Sequence, residues 1–295
     1  MKIFVILFVA VTCVIIISCS PLKTLNILSG ASEARTEKDL AYGPHPRQKL
    51  DRYSGDESSS GSPVCHIIFV YGGSWEDGSK GEYGFVGSEL AKSGYLVSIP
   101  DYRLYPDVTY PEFVNDIALS ISHEVEYAAG KNRPVVLMGH SAGALIAGLI
   151  SYNPKYLRSV GLDPSLVAAF VSVAGPHDKF LPTEKTRWTN IFGKDKHEQL
   201  QALPVNHVQA SAPPTLILHG EDDEIVTPES AKSLHQALTE KNVMSVIKMY
   251  PGVGHKRIVA AIGSPLQNLA PTLEDINSFL GELGCSNEKN DRFIL

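Results

Sequence analysis

The sequence predicts an α/β domain: a mainly parallel central sheet with helices on both faces and a small cap. Three observations carry that prediction. Short apolar runs recur along the chain, helical patterns separate them, and several runs are apolar throughout, as strands covered on both faces should be. With 295 residues, 43% hydrophobic and 20% charged, the chain can bury one large core. A formal charge of −6 and scattered Lys and Arg give no basic footprint, so nucleic acid is not an expected partner.

The chain opens outside the fold. Met1 and Lys2 precede an apolar run from Ile3 to Ile17, a length that suits a secretory signal and falls short of the ~18–20 residues of a spanning helix. The run closes in IISCSPL, which resembles the lipobox of bacterial lipoproteins. That resemblance implies a signal peptide over residues 1–18 and lipidation of Cys19. With Ser20 next, it also implies a cell-envelope protein anchored to the outer membrane and facing the periplasm. An uncleaved short anchor or a plain secretory signal is the competing reading. Residues 19–38 read as a tether, 39–285 as the folded domain and 286–295 as a tail.

Strands are expected at 48–53, 65–71, 95–100, 135–139, 167–174, 215–219 and 244–250. Helical patterns cover 86–94, 113–129, 142–152, 230–240 and 272–283. The stretch 175–214, with HDKFLP and RWTNIFG, fits a small cap over a wide, accessible pocket.

In such a sheet, function gathers in loops after the strand C-termini. VVLMGHSAGALIAG (135–148) passes from a buried strand to a helix through Ser141, with Gly139 and Gly143 letting the two elements approach closely. The turn presents a serine hydroxyl at a helix N-terminus, where developing negative charge is favoured. A nucleophilic serine also needs a base, an acid and oxyanion donors. His255 follows the last strand as the base. The acid lies among Glu221, Asp222, Asp223 and Glu224 after the preceding strand. Gly72 and Gly73 in FVYGGSW allow backbone N–H groups to turn towards one point.

Serine, acid, histidine is the chain order of α/β-hydrolases. The motifs AYGPHPRQKLDRY, YGGSW, DYRLYPDVTYPEFVNDI, GHSAG, HGEDDEIV and YPGVGH occur in that order over residues 39–283. The chain thus resembles bacterial α/β-hydrolase carboxylesterases of the hormone-sensitive-lipase-like and feruloyl-esterase-like branch. The resemblance implies cofactor-free hydrolysis of small to medium acyl esters by Ser141, His255 and Asp223. It places the oxyanion donors at Ala142 and at Gly73 or Ser74. His140 and His219 read as structural neighbours, and Arg103 with Asp116 as a buried ion pair. An amidase or aryl-formamidase would use the same triad, and a catalytically silent envelope binding module would share the fold.

At Tyr71 the chain departs from this pattern, which often has His before the two glycines. Tyr71 is expected either to brace the oxyanion loop with about the 1 kcal/mol of one neutral hydrogen bond, or to be a strand-end core residue. Cys65 and Cys285 lack the spacing of a metal site, and no metal is expected. Cys65 starts a central strand and Cys285 follows a helix running back towards the strand starts, so a disulfide between them is expected at the end away from Ser141.

Overall fold

Eight strands form one sheet in the order β1-β2-β4-β3-β5-β6-β7-β8. The computed structural model describes residues 25–26, 34–55, 63–127, 133–179 and 185–285. Strands β1 (Arg35–Ala41) and β2 (Lys49–Ser54) make an antiparallel edge, and β2 pairs antiparallel with β4 (Leu96–Pro100). From β4 onwards every pairing is parallel, through β3 (His66–Val70), β5 (Val135–His140), β6 (Val167–Val173), β7 (Thr215–Gly220) and β8 (Ser245–Tyr250). The expected strands therefore stand within a residue or so at each end. Strands β3, β4 and β5 are buried along their whole length, which is why their sequences carry no polar alternation.

The tether needs correcting. Strand β1 begins at Arg35, inside the segment assigned to it, and Leu25 is buried in the core. Asn26 accepts from Phe85 N–H (2.7 Å) and donates to the Gly81 carbonyl (2.7 Å), so this part of the segment lies against the domain. Cys19 and residues 286–295 lie outside the described residues.

Nine α-helices complete the described fold. Helices α1 (Gly84–Lys92), α2 (Glu112–Tyr127), α3 (Ala142–Tyr152) and α4 (Lys155–Ser159) precede the cap. The cap carries α5 (Lys185–Phe192) and α6 (Lys196–Gln201). Beyond it come α7 (Pro228–Glu240), α8 (His255–Ala260) and α9 (Thr272–Glu282). Helix α3 is buried all round, with an Ala/Gly/Leu/Ile sequence that can press onto β3, β5 and β6 and still pack α2 on its outer side. Asn277 of α9 donates to Ser93 Oγ at the end of α1 (3.2 Å). Among the described residues no helix is long and apolar enough to cross a membrane.

The expected disulfide is present. Cys65 and Cys285 are bonded with their Cα atoms 5.3 Å apart, just before β3 and just after α9. Cys65 sits at the strand start, whereas Ser141 follows the C-terminal end of the neighbouring parallel strand β5.

Candidate active site

Ser141 occupies the single residue between β5 and α3, at φ 54° and ψ −124°. A non-glycine residue holds such angles only when its surroundings leave no alternative. Here they do: a Cβ on Gly139 would lie 2.4 Å from the Gly143 carbonyl oxygen, and one on Gly143 would lie 2.1 Å from that of Val70. Only glycines let strand and helix close on this turn. The serine side chain makes no capping bond to its own helix, which leaves the hydroxyl available.

Ser141 Oγ lies 2.8 Å from His255 Nε2, and His255 Nδ1 lies 2.7 Å from Asp223 Oδ2. A carboxylate only accepts, so Nδ1 carries the imidazole proton and Nε2 is left to accept from the serine. The three residues follow β5, β7 and β8, His255 as the first residue of α8, and these strands all end at one edge of the sheet. Asp223 is buried in this chain of hydrogen bonds, while Asp222 is exposed. The geometry thus joins His255 to Asp223 and not to its neighbour.

Two buried histidines support the pair. His140 Nε2 donates to the His255 carbonyl (3.1 Å), and His219 Nε2 stands 2.8 Å from the Val226 carbonyl and 3.3 Å from Asp223 Oδ2. Asp223 Oδ1 accepts from the Ile225 and Val226 N–H groups, both at 2.9 Å. Burial by itself would raise the Asp223 pKa. Hydrogen bonds from His219 and His255 and the charge of His255 outweigh it and hold the carboxyl below the ordinary range. Desolvation, helped by the charge of His255, pushes His140 down to about 3, so it is neutral at pH 7.

The loop after β3 is tightly wound. Gly73, Ser74 and Trp75 have φ of 145°, 53° and 63°, and the N–H groups of Glu76 and Asp77 both donate to the Gly73 carbonyl. Ser74 and Ala142 line one cavity with Ser141, and Ala142, as the first residue of α3, has no intrahelical acceptor for its N–H. The cavity is about 60 Å³, narrowed by Trp75 and by Trp188 of α5, whose rings meet edge-on with centroids 5.2 Å apart. A few water-sized groups fill such a volume. The pocket is therefore tighter than the length of the cap stretch suggests.

Tyr71 proves to be part of a clamp on this loop. Its hydroxyl accepts from Arg47 Nη2 (2.8 Å) and donates to Asp101 Oδ1 (3.0 Å). Arg47 also donates to the carbonyls of Gly78 (3.0 Å) and Tyr102 (2.8 Å), and Asp101 accepts from Lys80 N–H (2.7 Å). Arg47 thus ties the residue before the loop to Gly78 beyond it. Sequence reading missed Arg47 and Asp101, although both stand in motifs it quoted. Arg103 and Asp116 pair as expected, at 2.7 Å.

A strained serine between strand and helix, hydrogen-bonded to a histidine and an aspartate from later loops, defines the class of α/β-hydrolases. Within that class the chain belongs to the BD-FAE family, a family of carboxylic ester hydrolases, whose profile matches residues 50–238. Esterase LipC of Mycobacterium tuberculosis is 30% identical over 239 residues, covering 73% of this chain and 58% of its own. A probable isoprenylcysteine alpha-carbonyl methylesterase of Arabidopsis thaliana is 29% identical over 244 residues, covering 75% and 57%. The chain therefore spans under three fifths of the length of these relatives. Among solved structures, a carbohydrate esterase from gut microbiota superposes with a TM-score of 0.73 at 17% identity, covering 86% of this chain and 98% of the other. A butyrate-bound esterase of Thermogutta terrifontis gives 0.70 at 20% identity, covering 88% and 98%. At these identities the structural likeness concerns the fold.

Proposed function

We propose that the protein is a serine carboxylesterase acting on esters with small acyl groups through an acyl-enzyme. The observation that carries this reading is the unbroken chain Ser141 Oγ, His255 Nε2, His255 Nδ1 and Asp223 Oδ2, with links of 2.8 and 2.7 Å. His255 accepts the serine proton as the hydroxyl attacks the ester carbonyl, and Asp223 holds the imidazole and stabilises its cation. The N–H groups of Ala142 and of Gly73 or Ser74 receive the oxyanion. His255 then protonates the departing alcohol, and water repeats the sequence on the acyl-enzyme. The esterase names carried by relatives and the butyrate in the T. terrifontis structure support this substrate class.

The test is labelling by a fluorophosphonate together with a screen of acyl esters, amides and formamides. Ser141→Ala abolishes labelling, and Ser141→Ala or His255→Ala lowers ester turnover by at least ~10³ with the fold intact, because triad members act as a unit. Amide or formamide turnover exceeding that of every ester would reassign the reaction, and an unlabelled serine would mean a silent module.

We further propose that the mature chain is anchored in the cell envelope by lipid on Cys19. The apolar run ending in IISCSPL supports this reading. One acyl chain binds only marginally, so stable anchoring needs the several chains of a lipoprotein. Cys19→Ala then leaves the membrane fraction; its retention there would favour an uncleaved apolar segment.

A further inference from the structure

The peptide unit between Tyr71 and Gly72 opens the loop after β3, and two phenols hold it. Its carbonyl accepts from the Tyr102 hydroxyl (2.9 Å), and its N–H donates to the hydroxyl oxygen of Tyr83, the residue before α1. Neither bond involves Arg47 or Asp101, so this hold is distinct from the clamp on the Tyr71 side chain.

Tyr83 in turn meets His140, the residue before the serine. Its hydroxyl lies 3.4 Å from His140 Nδ1. His140 Nε2 lies 3.1 Å from the His255 carbonyl, which only accepts, so Nε2 carries the imidazole proton and Nδ1 accepts. The Tyr83 O–H then donates to Nδ1, and its oxygen accepts from Gly72. The hydrogens run in one direction: Gly72 N–H to Tyr83, Tyr83 to His140, His140 to the His255 carbonyl. Tyr83 and His140 are both buried, at 4% and 3% exposure, so outside water does not replace these partners. Desolvation keeps His140 neutral, the state the series requires, since a cationic ring would turn Nδ1 into a donor.

Packing brings the same groups to one point. A Cβ on Gly72 would lie 2.9 Å from Ser141 Cβ and 3.1 Å from His140 Nδ1, and the His140 and His255 rings have centroids 5.0 Å apart.

We propose that Tyr83 and His140 are positioning residues that tie the loop after β3 to the backbone of His255, so that the oxyanion donors and the base keep one fixed geometry about Ser141. This inference rests on the esterase reading of Ser141. It supplies a reason for a histidine immediately before the nucleophile: a neutral imidazole accepts on one edge and donates on the other, as a bridge between a hydroxyl and a carbonyl must. Donors and base engage most strongly as charge develops, so misplacing either lowers kcat more than it changes KM.

Three substitutions test it. Tyr83→Phe keeps the ring and removes the hydroxyl, His140→Leu removes both nitrogens, and His140→Gln keeps an amide N–H for the His255 carbonyl. The quantities read are kcat per fluorophosphonate-titrated site and KM on a short-chain acyl ester, beside thermal melting. Tyr83→Phe and His140→Leu are each expected to lower kcat about tenfold, the scale of one or two neutral hydrogen bonds, with KM within about twofold of the wild type. Combining them should lower kcat little beyond the worse single variant, because both break one series. His140→Gln should recover part of what His140→Leu loses. If His140→Leu does not fold, the same double-variant comparison is made with His140→Gln, which also lacks the imidazole acceptor for Tyr83. A per-site kcat within about twofold of the wild type in the single variants, whatever the melting temperature does, overturns the proposal. Losses that multiply in the double variant overturn it too, as does a kcat for His140→Gln no better than for His140→Leu. Failure of the wild type to label at Ser141 or to turn over any ester defeats the underlying reading instead.

Discussion

Tyr71→Phe removes one oxygen from the clamp on the loop after β3, and the size of the effect can be worked out from its partners. Two hydrogen bonds are lost, one from Arg47 at 2.8 Å and one to Asp101 at 3.0 Å. Both partners are ionised, and bonds to charged groups contribute about 1.5–3 kcal/mol each. Arg47 and Asp101 are 29% and 15% exposed at their side chains, and both keep other partners. Rehydration and those partners recover part of the loss, leaving about 2 kcal/mol, twice the value for one neutral bond. The loop holds Ser74 and Trp75 at positive φ, a strain on the order of 1–3 kcal/mol each, so the clamp and the strain are of similar size. Without the hydroxyl the loop relaxes in most molecules and its N–H groups leave the oxyanion position. A 2 kcal/mol loss corresponds to a fall in kcat of roughly thirtyfold. Tyr71→Ala costs more, because the ring stacked on Tyr102 at 4.7 Å goes as well. The assay is kcat per fluorophosphonate-titrated site, run beside thermal melting. An unchanged per-site kcat with a lowered melting temperature would reduce Tyr71 to a core residue and refute the clamp.

Further outcomes follow from the same geometry. Asp223→Asn should lower kcat far more than Asp222→Asn, since only Asp223 meets His255; the reverse ranking in steady-state kinetics would move the acid by one residue. Stability should fall as pH drops from about 6.5 towards 4. Desolvation pushes His66 down to about 4 and both His140 and His177 to about 3. In that window the unfolded chain binds protons that the fold refuses, costing about 1.4 kcal/mol per pH unit for each histidine. Asp223, held below its ordinary range, adds a loss of the same sign at still lower pH. Urea midpoints that stay flat between pH 7 and 5 would contradict this. Cys65→Ala with Cys285→Ala should destabilise the fold by about 2–5 kcal/mol in urea titration while the per-site kcat holds, because the bridge lies at the end away from Ser141. A matching loss of kcat would show that the two ends of the sheet are coupled.

The parts legible in the sequence were those with a local cause. Strands β3, β5 and β7 are buried on both faces, so their apolar runs announce them. Ser141 stands out because glycines bracket it at 139 and 143, and His255 because it follows the last strand. Strand β1 was hidden. RTEKDLA is exposed or half-exposed at every position and has no apolar face, so it reads like a solvated linker. The choice between Asp222 and Asp223 turned on which carboxylate faces inward, which four consecutive acids cannot show. Arg47, Tyr71 and Asp101 meet only because the sheet sets β2 beside β4 and β4 beside β3. Nothing in the spacing of those residues foretells the clamp.

The bond between Cys65 and Cys285 joins positions 220 apart in sequence, and Ser141, Asp223 and His255 all lie between them. A tension drawn from one terminus to the other would run along β1 and β2, reach Cys65, cross the sulfur bridge and leave at Cys285. The enclosed stretch is off the load path, as a closed loop hanging from a taut line. Pulling would peel β2 from β4 at the sheet's rim and slacken the hold of Arg47. On the proposed mechanism, the loops bearing Ser141, Asp223 and His255 would bear none of the strain directly, and activity under force would fail first through the loop after β3.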